Sequence, residues 1–454
     1  MRYFVWTKFI QTLHKLTPAQ LIVTFYFLAV SVAVILLSLP VAHKPNVDLS
    51  FMDALFTAAS AVSVTGLSSV NIADTFSVTG IFLLAFVLQF GGIGVMTLGT
   101  FIWLVLGRKI GLRERKLIMV DQNQTNLAGL VKLLKHILII IIAIELCGAL
   151  ILGTYFLKYY PTWEEAFLHG FFASISATTN GGFDITGQSL IPYADDYFVQ
   201  FINMILITLG AIGFPVLVEV KDFLLSKQNR FRFSLFAKLT TLTFFALIVF
   251  GTIMILILEY NQLFKGMSWH KTFFYALFQS VTTRSGGLAT LDISQFSEST
   301  LLIICVLMFI GASPSSVGGG IRTTTFALNL LFLFHYARGK KSIKIFKREL
   351  HEEDIIKSLV VTILAVVICL LSLVILTISE KNFTLLELIF EVSSAFGTTG
   401  LSMGITPDLS VIGKIIIILL MFIGRIGILT FLFLLSGKKV EPNYHYPKER
   451  VIIG

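Results

Sequence analysis

Charge is what this chain has little of. Asp, Glu, Lys and Arg make up 13% of its 454 residues, against about 25% in a soluble globular domain. Hydrophobic residues make up 56%, and the mean hydropathy is +0.86. This balance points to a polytopic membrane protein. Cysteine is nearly absent. Cys147, Cys305 and Cys369 all lie in apolar runs, so there is no disulfide framework and no sign of a metal site. Met1 to Leu16 has aromatic and basic residues but no small-residue cleavage site. The first apolar run, Leu21 to Leu39, therefore reads as a retained helix. No strand followed by Gly-x-Gly-x-x-Gly occurs in the loops, so nucleotide control would need a separate subunit.

Apolar runs long enough to cross about 30 Å of hydrocarbon fall at 20–39, 79–106, 133–157, 197–225, 235–258, 300–336, 355–378 and 411–436. Between the members of each pair lies a shorter segment: 50–62, 162–176, 268–281 and 383–396. Each starts at a residue suited to capping, namely Ser50, Thr162, Ser268 and Thr384. These segments are too short to span and read as re-entrant half-helices. Each ends in a glycine-centred loop: Val64-Thr65-Gly66-Leu67, Asn180-Gly181-Gly182-Phe183, Ser285-Gly286-Gly287-Leu288 and Thr398-Thr399-Gly400-Leu401. Ten residues before three of the loop glycines stand Phe56, Phe172 and Phe390, and six before stand Ser60, Ser176 and Ser394. The third repeat has Leu277 and Val281 instead. A second shared motif follows 25, 28, 24 and 24 residues after the loop glycine, at Gly91, Gly210, Gly311 and Gly424. Part of that second motif could simply ease helix packing. The expected fold is an all-α polytopic membrane protein, with four tandem helix–half-helix–loop–helix repeats arranged pseudo-fourfold around one pore.

Charge placement supplies the topology. The segments joining repeats carry Arg108, Lys109, Arg113, Arg115, Lys116 and Lys132, then Lys221, Lys227, Arg230, Arg232 and Lys238, then Arg338, Lys340, Lys341, Lys344, Lys347, Arg348 and Lys357. The tails add Lys8, Lys15, Lys438, Lys439, Lys448 and Arg450. By the positive-inside rule these lie in the cytoplasm. The net charge of +9 is thus a topological signal and not a nucleic-acid footprint. The remaining loops are acidic, with Asp74, Glu164, Asp184, Asp195 and Asp408 among them. They would gather cations outside, where the half-helices enter. The expected segments are 1–16 as a cytoplasmic tail, 17–107 as repeat one, 108–226 as a linker with repeat two, 227–340 as repeat three, 341–437 as repeat four and 438–454 as a second tail.

Non-helical backbone at membrane depth must be shielded or must line a watery cavity. Four such loops can turn carbonyl oxygens inward and replace the water of a monovalent cation. Glycine permits the backbone angles and leaves no side chain in the path. No ring of carboxylates stands there, which disfavours divalent or proton chemistry. The expected filter is Val64, Thr65, Gly66, Asn180, Gly181, Gly182, Ser285, Gly286, Gly287, Thr398, Thr399 and Gly400, acting through backbone carbonyls.

The four motifs, the eight-helix plan and Gly424-Arg425-Ile426-Gly427 resemble the Trk/Ktr/HKT superfamily of potassium transporters over essentially the whole chain. The short N-terminus is similar to the bacterial KtrB/KtrD membrane subunits. The resemblance implies channel-like uptake of K+ across the bacterial cell membrane, with Na+ as an activator, a homodimer with one pore per protomer, and a cytoplasmic KtrA/KtrC-like ring that carries the nucleotide. It implies no covalently bound cofactor. Single-glycine motifs, unlike the Thr-Val-Gly-Tyr-Gly of tetrameric channels, imply weaker selectivity.

The run 300–336 is interrupted by Gly311, Ala312, Ser313, Pro314, Ser315, Ser316, Val317, Gly318, Gly319 and Gly320, which cannot continue a stable helix. A plain kink is the simpler reading, but ten such residues are more than a kink needs. The family has an intramembrane gate here, with a pore arginine at the position of Arg425. A charge in an apolar helix needs a cavity or a partner. Glu145 reads as hydrogen-bonded to neighbouring backbone, Arg322 as an anchor of the loop end and Arg284 as a brace of the filter. Asp184 could attract ions or cap a turn. The rival classes are an alternating-access sodium–potassium symporter and an intramembrane enzyme. A symporter of that kind would have inverted repeats, whereas here all the half-helices share one orientation. The serines of 311–320 have no His or Asp in the same layer to activate them, so no enzyme is expected.

Overall fold

In the computed structural model, the described residues are 17–94, 130–226, 231–340 and 342–435, with 446, 447 and 449. The basic residues Arg108 to Lys116, Lys227, Arg230, Lys341 and the tail residues Lys8, Lys15, Lys438, Lys439, Lys448 and Arg450 lie outside them, as does the stretch 95–106.

Each repeat opens with a long helix: α1 (Pro18–Leu37), α4 (Leu130–Phe156), α8 (Leu235–Glu259) and α12 (Glu352–Ser379). All four are long and apolar enough to cross a membrane. Along their middle stretches many exposed residues are apolar, as Phe27, Leu146, Ile257 and Ile363 illustrate, which suits a helix in hydrocarbon. The half-helices follow as α2 (Phe51–Ser63), α5 (Trp163–Thr178), α9 (Trp269–Thr282) and α13 (Leu385–Gly397). The hydroxyls of Ser50, Thr162 and Thr384 accept the N–H three residues on, satisfying a donor the first turn leaves free. Ser268 makes no such bond and its Oγ lies 3.2 Å from His270 Nε2 instead.

The second apolar run of each repeat is not one continuous helix. α3 (Val78–Ile93) stops at Gly94 (φ 93°, ψ 131°). α6 (Tyr197–Ala211) bends by 104° into α7 (Phe214–Leu225) at Gly213 (φ 104°, ψ 129°). α14 (Val411–Ile426) breaks at Gly427 (φ 83°, ψ 144°) before α15 (Ile428–Leu435). These angles are open to glycine and strained for other residues. In repeat three, α10 (Glu298–Ile310) ends at Gly311, and α11 (Thr323–Ala337) begins after Arg322 (φ 81°, ψ 144°). Arg322 thus adopts the break conformation that glycine adopts elsewhere, with the eleven residues 311–321 between it and the end of α10. Apolar count alone could not show these breaks, because it does not sense φ.

The first and second apolar runs of each repeat are tied at the end where the half-helix begins. Ser77 Oγ donates to Val41 O at 2.6 Å. Asp196 accepts from Tyr155 Oη (2.8 Å) and Tyr159 Oη (2.5 Å). Glu259 accepts from Ser297 N (2.9 Å) and Oγ (2.7 Å), and Glu380 accepts from both N and Oγ of Ser410. The cores form at the seams. Phe56, Leu84, Phe396 and Leu420 belong to one cluster that joins repeats one and four. Phe156, Ile207, Phe244 and Phe278 belong to another that joins repeats two and three. Among the described residues the only strands form a hairpin, β1 (Lys344–Ile345) with β2 (Arg348–Glu349), and a single antiparallel bridge joins His43 to Phe76. The two turn residues of the hairpin, Phe346 and Lys347, are both left-handed.

Candidate functional site

The site is built at the C-terminal ends of the half-helices. Val64 (φ 56°) and Thr398 (φ 46°) cap theirs in the left-handed region, and Asn180 (φ 53°) and Ser285 (φ 65°) enter it one and two residues past the caps Thr179 and Thr283. Two residues on, Gly66 (φ 94°), Gly182 (φ 66°), Gly287 (φ 70°) and Gly400 (φ 91°) are left-handed again. That conformation costs β-branched Val64 and Thr398 roughly 1–2 kcal/mol each, so the surrounding structure must impose it. Both are fully buried. The loops are tied back to the helix they leave. Thr65 N bonds Ser60 O (2.9 Å), Gly181 N bonds Ser176 O (2.7 Å), Gly286 N bonds Thr282 O (2.7 Å) and Thr399 N bonds Ser394 O (2.8 Å). Side chains complete the hold in two styles. Ser60 and Ser394 Oγ accept from Gly66 N and Gly400 N, both at 3.1 Å. Ser176 Oγ donates to Phe183 O at 2.5 Å and Thr282 Oγ1 to Leu288 O at 2.6 Å. Thr282 therefore supplies the hydroxyl that repeat three lacks at the serine position, one residue later than in its counterparts.

The loops meet in a closed ring. A methyl group at Gly66 would lie 2.6 Å from Gly181 O, one at Gly182 3.4 Å from Gly286 O, and one at Gly287 2.5 Å from Thr399 O. One at Gly400 would strike Thr65 O and sit 3.0 Å from Gly66 Cα. The carbonyl before each loop glycine thus faces the glycine of the preceding repeat, and the fourth repeat closes on the first. The second motif backs this ring. Methyl groups at Gly91, Gly210 and Gly424 would strike the carbonyls of Val62, Thr178 and Phe396, each four residues before its own loop glycine. Helix packing therefore does account for those glycines, and the packing is against the last turn of each half-helix.

The segment 311–320 lies against this ring. Ser313 N bonds Ala211 O (3.0 Å), Val317 N bonds Gly210 O (3.2 Å) and Phe214 N bonds Ser315 O (2.8 Å), so the segment is sewn to the break between α6 and α7. Methyl groups at Gly318 and Gly319 would lie 2.6 Å from Ser285 Cβ and 2.6 Å from Thr398 Oγ1. Two arginines clasp it. Arg322 donates to Gly318 O and, at 3.3 Å, to Ser313 O. Arg425 donates to Val317 O, Gly91 O and Gly92 O, so its guanidinium bridges the segment and the end of α3.

Arg284 is fully buried and donates to Leu307 O (2.5 Å) and Gly311 O (3.2 Å) at the C-terminal end of α10, where free carbonyls favour a cation. Glu145 does not rely on backbone, because its carboxyl accepts from Gln89 Nε2 at 2.6 Å. Asp184 Oδ2 accepts from Thr186 N (3.0 Å) and Gly187 N (2.8 Å), the geometry of a turn cap. Among the described residues no cluster of His, Cys, Asp or Glu could hold a metal ion. Sequence reading missed Lys414, whose Nζ lies 2.9 Å from Asp53 Oδ1 across the seam of repeats four and one. The two are far apart in the chain, so the pairing leaves no local pattern. Both are largely buried. Lys414→Met should cost about 3–5 kcal/mol by stranding Asp53, read as a lowered melting temperature in detergent. Adding Asp53→Asn should recover most of the loss.

Comparison with known proteins agrees with this architecture. Residues 3–443 match the cation transport protein family TrkH. Ktr system potassium uptake protein D of Bacillus subtilis is 68% identical, covering 98% of this chain and 99% of the relative. Ktr system potassium uptake protein B of the same organism is 39% identical over 97% of each. Potassium/sodium uptake protein NtpJ of Enterococcus hirae is 32% identical over 97% of this chain and 98% of the relative. The crystal structure of the potassium transporter TrkH from Vibrio parahaemolyticus shares the fold, with a TM-score of 0.73 at 21% identity, covering 93% of this chain and 86% of that one. The chain belongs to the TrkH family of cation transport proteins.

Proposed function

We propose that this protein takes up potassium across the bacterial cell membrane by a channel-like route through the ring of loops. The observation that carries the reading is the closed circle of the Thr65, Gly181, Gly286 and Thr399 carbonyls, each set against the preceding loop's glycine. Such oxygens can replace the water of a dehydrated monovalent cation, and the half-helix C-termini add partial negative charge behind them. Val64, Asn180, Ser285 and Thr398 supply the next carbonyl layer. The relatives' names, potassium uptake proteins D and B and a potassium/sodium uptake protein, support K+ as the main cargo and Na+ as a second ion. By the positive-inside rule, the half-helices enter from outside and both termini are cytoplasmic. The segment 311–320 with Arg425 acts as the gate beneath the filter. "Ktr system" in two relatives' names supports a partner subunit. On the family resemblance, that partner is a nucleotide-binding cytoplasmic ring and the chain itself dimerises.

The test is K+ and Na+ uptake in cells lacking other potassium systems, with and without the ring. Flux that keeps rising with external K+ supports a channel-like route. Saturation at low turnover with fixed Na+:K+ stoichiometry points to an alternating-access symporter. The purified chain alone should bind neither ATP nor ADP saturably in equilibrium dialysis, and binding by the ring alone should account for any nucleotide effect.

A further inference from the structure

The fourth loop differs from its counterparts in what stands behind it. Nine residues before the loop glycine, repeats one to three place Thr57, Ala173 and Phe278, and repeat four places Glu391. Glu391 is 1% exposed. Its Oε1 accepts from Thr406 Oγ1, while its Oε2, also buried, meets no hydrogen-bond partner in the protein. Thr406 Oγ1 also lies 3.0 Å from Ser402 Oγ, and Ser402 is two residues past Gly400. Leu401, Ile405 and Thr406 of the returning segment are buried.

A carboxyl with one oxygen unpartnered is a costly way to fill a core. It does, however, hold a specific contact. Gly400 is fixed from one side by Ser394 Oγ. The chain of Glu391, Thr406 and Ser402 fixes the backbone on its other side. We propose that Glu391 is a positioning residue that tunes ion specificity. By holding Thr406 and Ser402 it pins segment 401–406 against α13, and so sets where Gly400 and the Thr399 carbonyl stand against Gly287. The inference rests on the filter reading above and reaches a residue outside the loops themselves.

The test is K+ over Na+ preference in uptake or in reconstituted vesicles, with amount in the membrane and melting temperature measured in parallel. Glu391→Ala and Thr406→Val should each lower the preference about tenfold, the loss of one buried hydrogen bond, with the Km for K+ moving more than the maximal rate. Their double variant should be no worse than either alone. Glu391→Gln, which keeps an acceptor, and Thr406→Ser, which keeps the donor, should stay within about twofold of the parent. If Glu391→Ala fails to accumulate, the near-isosteric Thr406→Val set against Thr406→Ser decides. Folded Glu391→Ala or Thr406→Val protein with parental preference overturns the proposal, as does loss of melting temperature without change in preference. Gly400→Ser is run alongside. If it alters preference and the Glu391 and Thr406 variants do not, only this proposal falls. If none does, the filter reading falls with it.

Discussion

Serine at Gly66, Gly182, Gly287 or Gly400 should abolish potassium preference or weaken it about tenfold to a hundredfold, at roughly 1.4 kcal/mol per decade. Two costs combine. Each glycine has φ between 66° and 94°, which strains any side chain by about 1–2 kcal/mol. Each β-carbon would also press on the neighbouring loop, as with Thr399 O 2.5 Å from a methyl at Gly287. The strain must be relieved by moving the carbonyls that would coordinate the ion. Because the four positions are equivalent in the ring, all four variants should behave alike in K+ and Na+ uptake at matched surface amount. If all four retain parental potassium affinity and sodium exclusion, these glycines do not form the filter.

Removing residues Ser313 to Gly318 should raise potassium flux without the ring subunit and leave little for the ring to add. The segment is held by α6, by Arg322 and by Arg425, and it abuts Ser285 and Thr398 of the loops above. A guanidinium in a low-dielectric passage also repels a cation. Arg425→Ala should therefore act in the same direction but more weakly, because Arg322 still holds Gly318 O and Ser313 O. Initial uptake rates with and without the partner check this. A partner-free rate that is unchanged or lower, from folded protein, means that the segment is not a closed gate. A ring subunit could move it through α11, whose first residue, Thr323, bonds Ala312 O through its N–H (3.1 Å) and Ser313 Oγ through its hydroxyl (3.1 Å).

The half-helices and loops were legible because one pattern occurs four times. The expected segments 50–62, 162–176, 268–281 and 383–396 differ from the observed helices by two residues or fewer at each end. The breaks at Gly94, Gly213 and Gly427 were not seen, since a lone glycine in an apolar run looks like tolerated packing. The signal was present, because the last glycine of Gly-x-x-Gly recurs in three of the four motifs. Thr282 was hidden by a one-residue offset. Lys414 with Asp53, Glu391 with Thr406 and Glu259 with Ser297 were hidden for a different reason. Each is a contact made by folding between segments whose own composition gives no hint of the partner.

The most direct test of the account is a crystal structure of the protein soaked in thallium, a heavy mimic of potassium, with anomalous scattering used to place the ion. The account predicts a peak on the axis of the ring, within coordinating distance of the Thr65, Gly181, Gly286 and Thr399 carbonyls, that weakens in a Gly287→Ser crystal. Thallium bound elsewhere between the helices, with no density at the ring in crystals saturated with the ion, would contradict it.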